Sequence, residues 1–188
     1  MKSKASSPHI NFEFHEPLRL NVGALNAAKR NLELGAITPS YGPWREDIVR
    51  LLNDSLATEL VCALRYKRHY FTAAGLASSK IANDFLVHAS EETSHADRLA
   101  ARIVQLGGEP DFSPDFLSKR SHAPYNAELG LKSMIKANLS AERVVIEAYT
   151  QMIALIGDKD SVTTRLIEDI LSQAHEHADK LKKWLVVA

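Results

Sequence analysis

The chain has a single cysteine, Cys62, among 188 residues. One cysteine excludes an intrachain disulfide framework and any Cys-rich zinc or iron–sulfur site, and it suits a reducing, cytoplasmic compartment. Cys62 reads as a small buried hydrophobe. Charge of one sign is missing too: 23 Lys plus Arg balance 23 Asp plus Glu. Lys2, Lys4 and His9 make only a short, weakly basic start, with no lysine-rich tail, which argues against a nucleic-acid partner. No charge-free apolar run reaches the roughly 18 residues of a membrane span, so no membrane partner is expected. Residues 1–8 lack the apolar run of a signal peptide. No repeat of solenoid length is evident.

What is present is helix. Hydrophobic content is 45%, enough for one substantial core. Residues 1–42 read as an N-terminal extension and 43–188 as the main domain. Residues 1–20 have no clean period and read as an arm that needs a partner to hold it. Residues 22–34 predict a short helix ended by Gly35, before the punctuation of Pro39, Gly42 and Pro43. A first long helix is expected over 43–74, with Gly75 as its stop. Ile48, Leu51, Leu52, Leu56, Leu60 and Ala63 recur there at three- and four-residue steps, and Glu59 lies one position from that stripe. A second helix is expected over 79–106, stopped by Gly107 and Gly108, and a third over 127–156. Asp160 or Ser161 can cap a fourth, whose end near 184 carries Lys180, Lys182 and Lys183 at the negative dipole pole. Residues 107–125, with Pro110, Pro114 and Pro124, read as a connector. Two short-looped hairpins joined by so long a connector predict an all-α, antiparallel four-helix bundle with one long crossover. An irregular all-α domain or a longer helical array are the alternatives.

A spacing points to chemistry. Glu59 precedes Glu92 by 33 residues, and Glu92 opens Glu92-x-x-His95; Glu142 precedes His177 by 35. One Glu from one helix and a Glu-x-x-His from the next is how a helical bundle builds a carboxylate-bridged metal pair. The i, i+3 pair shares one helical face and offers a carboxylate and an imidazole to one point. Iron, manganese or zinc suits such donors. A lone Glu-x-x-His is weak, since surface ion pairing produces it often; the matched spacing over four helices is what raises it. Ala174 stands where the second half of the design needs a carboxylate. Tyr66 and Tyr149 each follow a candidate Glu by seven residues. They are either core aromatics or hydrogen-bond partners of a carboxylate across the bundle. His88 and His69 read as ordinary surface or interface histidines before any role beside a ligand. Glu91 reads as solvent-facing. His175 is a substitute ligand only if its helix is rotated.

The stretches LLNDSLATELVCALRY, HASEETSHADRLAARIVQLGGEP, NLSAERVVIEAY and, less completely, DILSQAHEHADKL resemble the bacterioferritin and wider ferritin-like family over roughly residues 45–185. The resemblance implies a ferritin-like bundle holding a di-iron centre that oxidises Fe(II) with dioxygen or hydrogen peroxide. It also implies iron storage in a hollow shell of identical subunits. Carried over, Glu59 and Glu142 resemble terminal carboxylates, Glu92 a bridging carboxylate, and His95 and His177 the imidazole ligands. Tyr66 resembles the tyrosine near the centre. Ala174 replaces the other bridging glutamate of the family, which leaves a single-metal or non-catalytic protein as the alternative. Thr93 occupies the place of the family's haem-ligating methionine and argues against haem through this contact. A substrate oxygenase on the same scaffold is a further class, and it requires an open channel.

Overall fold

The computed structural model describes residues 18–73 and 79–187. The helices are α1 Val22–Ala27, α2 Arg45–Ala73, α3 Ser79–Gln105, α4 Pro114–Arg120, α5 Leu131–Ile156 and α6 Ser161–Val187. Helix α2 pairs with α3, and α5 pairs with α6. The two hairpins close a four-helix bundle through contacts of α2 with α5 and of α3 with α6. The expected arm at the extreme N-terminus and the Gly75 stop lie outside the described residues.

Local chemistry sets the boundaries. Gly107 ends α3 with φ +70°, and Gly108 N–H donates to the Ile103 carbonyl at 2.9 Å, a glycine-terminated helix end. Gly108 also passes so close to α2 that a Cβ there would lie 2.6 Å from Val49. Asp160 caps α6 by accepting from the Thr163 N–H at 3.0 Å.

The connector departs from expectation. It contains α4, which begins with Pro114 at its first turn and Asp115 beside it, and ends with Lys119 and Arg120. These are ordinary start and stop signals, masked by the neighbouring prolines. The third bundle helix starts at Leu131 rather than 127, because Gly130 is extended and sits at its N-cap. Residues 22–34 split into α1 and a 3-10 turn at Leu32–Leu34, since Asn31 adopts φ +55°.

The crossover is laced along α2. Asn53 bonds Glu109 and Asp111, Thr58 bonds His122, Arg65 donates to the Pro124 carbonyl, and Arg68 to that of Glu128. The contacts advance together along both segments. The connector therefore carries the chain back up the length of α2, so α5 starts at the far end and runs antiparallel to α2.

The core falls into two large apolar regions, with a small third one where Leu117 of α4 packs on Ala57 and Val61 of α2. One large region holds Leu52, Leu56, Leu99, Ile103, Ile156 and Ile167; the other holds Tyr66, Phe85, Met134, Ile135 and Leu181. On every bundle helix the boundary between these two falls near one short polar segment. At the far end, Arg102 is buried against Asp160, with Nη2 at 2.9 and 2.8 Å from the two carboxylate oxygens and at 2.9 Å from the Tyr41 hydroxyl. This ties α3, the start of α6 and the N-terminal segment at one point. Removing one partner of a buried ion pair strands the other. Asp160→Ala, which also removes the cap, is predicted to cost about 3–5 kcal/mol. Chemical denaturation measures it, and a loss below about 1 kcal/mol would contradict the assignment.

Candidate metal centre

The polar segments between the two apolar regions converge. Glu59 on α2, Glu92 and His95 on α3, Glu142 on α5 and His177 on α6 are all buried, none more than 5% exposed. On α3 the small residues Ala89 and Ala96 flank the Glu92–His95 pair and are fully buried, which lets the facing helices approach. Ligating atoms of Glu59, Glu92 and His95 lie within 4.8 Å of one another, and so do those of Glu92, Glu142 and His177.

Glu92 belongs to both groups through different oxygens. Its Oε2 is 3.2 Å from His95 Nδ1, and its Oε1 is 3.3 Å from His177 Nδ1. His95 Nδ1 also lies 3.3 Å from Glu59 Oε2, and His177 Nδ1 lies 3.6 Å from Glu142 Oε1. The His177 contacts are ionic, because Nδ1 makes no aligned hydrogen bond. The outer nitrogens have their own partners. His95 Nε2 meets Gln173 Oε1 at 3.0 Å, and His177 Nε2 meets Glu91 Oε2 at 2.8 Å. Each contact holds a proton on Nε2 and aims Nδ1 inward.

The two tyrosines reach across the bundle in opposite directions. Tyr66 of α2 donates to Glu142 Oε1 of α5 at 2.6 Å, and Tyr149 of α5 donates to Glu59 Oε1 of α2. Burial, then the adjacent carboxylates, push both phenols well above their ordinary range, so both remain donors.

Burial and then the Glu92 carboxylate push Glu59 up, to about 8. Burial opposes the His95 imidazolium, but hydrogen bonds to Glu59 and Glu92 and their charges outweigh it and raise His95 to about 10. His177 is raised to about 11 in the same way, burial being outweighed by Glu142 and Glu92. The centre therefore balances carboxylate charge with protons held on the imidazoles. Burial, then the neighbouring His177, keeps His88 neutral by lowering it to about 3.

Several positions differ from the sequence-based expectation. His88 and His69 are buried, not superficial: His88 stacks on His177, and His69 sits 3.3 Å from Asn138 Oδ1. Glu91 is half-buried and engages His177 rather than solvent alone. The i, i+3 spacing of His88 and Glu91 was the available signal, but it reads as surface pairing without the position of α6. Gln173, whose contact with His95 spans two hairpins, carried no such signal. His175 is exposed and belongs to none of the candidate groups among the described residues. Helical phase explains this, since Ala174 and His177 lie on the buried face of α6 and His175 does not. Ala174 is buried one turn before His177.

None of the described helices is long and apolar enough to cross a membrane. A bacterial ferritin of Pseudomonas aeruginosa is 30% identical over 141 residues, 74% of this chain and 86% of the relative. A bacterioferritin of Mycobacterium avium is 26% identical over 140 residues, 74% of this chain and 84% of the relative. Among solved structures, a dodecameric thioferritin, the bacterioferritin-related protein of Bacteroides fragilis, matches with a TM-score of 0.70 at 25% identity. That match covers 76% of this chain and 86% of the other. The ferritin-like domain matches residues 49–187. This match starts in the first turns of α2 and ends with the last residue of α6, so it spans the whole bundle: the chain belongs to the ferritin-like family.

Proposed function

We propose that this chain oxidises Fe(II) at a pair of metal positions inside its own four-helix bundle, in the service of iron storage or detoxification by a homo-oligomer. The observation that carries this is the shared Glu92, whose two oxygens serve two separate Glu/His groups. A carboxylate so placed holds two ions close enough to react together. Glu59 and His95 complete one position, and Glu142 and His177 the other. The donors fit: oxygen with imidazole suits Fe(II), and also Mn(II) or Zn(II). A buried His177 Nδ1 with no aligned hydrogen bond is a nitrogen suited to a metal ion. The names of the relatives, bacterial ferritin and bacterioferritin, support iron as the substrate.

The chemistry is electron transfer from the substrate. Two Fe(II) give up one electron each. Dioxygen takes both with two protons and leaves as hydrogen peroxide; hydrogen peroxide as oxidant takes the same and leaves as two waters. The protein residues bind and orient the ions, exclude water with the surrounding apolar layers, and surrender the Nδ1 protons of His95 and His177. The residue after Glu92 is Thr93, whose hydroxyl donates to the Ala89 carbonyl at 2.8 Å, so this position offers no methionine thioether to a haem.

Ala174 favours a second reading, a single-metal or non-catalytic ferritin-like protein. It stands to His177 as Glu92 stands to His95, and a methyl group cannot bridge ions. The three carboxylates then oppose two Fe(II) ions with three negative charges against four positive.

Anaerobic Fe(II) titration of metal-free protein, followed by oxygen uptake, separates the two readings. Two irons per chain with rapid oxygen consumption, both lost in Glu92→Gln, are expected; one iron or none, without catalysed oxidation, would leave the second reading. Ala174→Glu is predicted to tighten the more weakly held ion by about tenfold or more. An unchanged isotherm would argue that Ala174 stands at no ligand position. Because the imidazoles and Glu59 are protonated near neutrality and ligate only when stripped of that proton, binding is predicted to release about one proton from each imidazole and about one more from Glu59 at pH 7. Apparent affinity should then fall as pH is lowered. Titration in weakly buffered solution measures this, and release of no protons would contradict the imidazole assignment.

A further inference from the structure

His177 turns its second nitrogen toward the bundle surface. Nδ1 faces Glu92 and Glu142, whereas Nε2 meets Glu91 Oε2 at 2.8 Å, where the Glu91 side chain is 41% exposed. The His88 ring stacks on the His177 ring, with 4.0 Å between centroids and 16° between planes. His88 is buried, yet its Nδ1 has no hydrogen-bond partner among the described residues. The ring's other aromatic neighbour, Tyr66, meets it edge-on at 5.2 Å between centroids, and a buried polar atom left unpaired is costly. One ligating atom from each of His88, Glu91 and His177 lies within 4.8 Å of the other two. Lys180, whose charge acts on His88, is engaged by Asp84 at 2.9 Å.

We propose that His88, Glu91 and His177 form a third cation position, at the rim of the buried centre, for a borderline divalent ion such as Fe(II), Zn(II) or Co(II). Two imidazoles and one carboxylate from facing helices are a donor set these ions accept, with positions left for water. The rim position goes beyond the buried pair, since neither His88 nor Glu91 belongs to that pair. His177 belongs to both. A neutral imidazole carries one proton, so His177 ligates through one nitrogen while the other stays protonated. Occupancy of the rim through Nε2 therefore alternates with occupancy of the inner position through Nδ1. The exposure of Glu91 connects the rim to solvent.

The test is Co(II) titration of metal-free protein by visible absorption, with bound metal counted by elemental analysis. Wild type, His88→Phe, Glu91→Gln and Glu59→Gln are compared. His88→Phe keeps a ring stacked on His177 and removes both nitrogens. Glu91→Gln keeps an acceptor for the His177 N–H but loses the anionic ligand, so a merely orienting role survives it. The rim position predicts that His88→Phe and Glu91→Gln each weaken one ion by at least about tenfold, while Glu59→Gln leaves that ion bound. Loss confined to Glu59→Gln would overturn the rim position and keep the buried centre. Loss confined to the other two would keep the rim and sink the buried pair. Should His88→Phe fail to fold by circular dichroism, the half-exposed Glu91→Gln decides alone, and wild-type binding in that variant overturns the proposal.

Discussion

Three carboxylates held out of water at mid-length of a helical bundle are the constraint to which the rest of the molecule answers. A buried carboxylate without compensation is expensive enough to take up a proton instead. Here the compensation comes from within the bundle. Tyr149 reaches from α5 to Glu59 on α2, and Tyr66 reaches from α2 to Glu142 on α5. These reciprocal bonds each satisfy a buried carboxyl oxygen, and removing either hydroxyl leaves that oxygen unpaired at a cost of about 1–3 kcal/mol. They also cross-link the first hairpin to the second, so the same contacts that make the charge tolerable fix how the hairpins face each other.

The apolar architecture follows. The two core regions leave a polar gap at one level on all four bundle helices, and alanines at 89, 96, 141 and 174 line its neighbourhood. Small side chains bring the backbones close, so glutamates reach the centre without crowding. Larger residues on either side, Leu56 and Leu99 in one direction and Phe85 and Met134 in the other, keep water from the gap. The crossover completes the seal along α2. Arg65, buried with α2 and bonded to Asn138 and the Pro124 carbonyl, pins the connector and the start of α5 to that helix.

The centre is a two-fold arrangement with unequal halves. Glu59 and Tyr66 correspond to Glu142 and Tyr149, and His95 corresponds to His177. The symmetry breaks at Ala174 opposite Glu92, and again in the groups behind the imidazoles. Neutral, half-buried Gln173 backs His95, whereas a partly exposed carboxylate and a stacked imidazole back His177. The His95 side is therefore enclosed and rich in carboxylate. The His177 side is poorer in carboxylate inside and better supplied at its rim. The departure from symmetry on one helix is accompanied by donors on another, a coupling visible only when α3 and α6 are seen together.

Much was legible along the chain, for local reasons. Helical period, glycine stops and the Asp160 cap are properties of neighbouring residues, and they defined the four long helices to within a few positions. The matched spacing of Glu59, Glu92, His95, Glu142 and His177 was readable because i, i+3 pairs and constant offsets survive in one dimension. Helix α4 was obscured by flanking prolines, and the start of α5 by the Ala127–Leu129 residues before Gly130, where competing local signals nearly balance. The burial of His88 and His69, the turn of Glu91 toward His177, and the contact between Gln173 and His95 are of another kind. Each depends on the rotation of one helix about its axis relative to a helix some 70 to 90 residues away. By itself the sequence determined which residues could face inward, because that follows from periodicity. Only the tertiary structure decided which of them meet, because a shift of one residue in helical phase turns a side chain by about 100° and changes its partner.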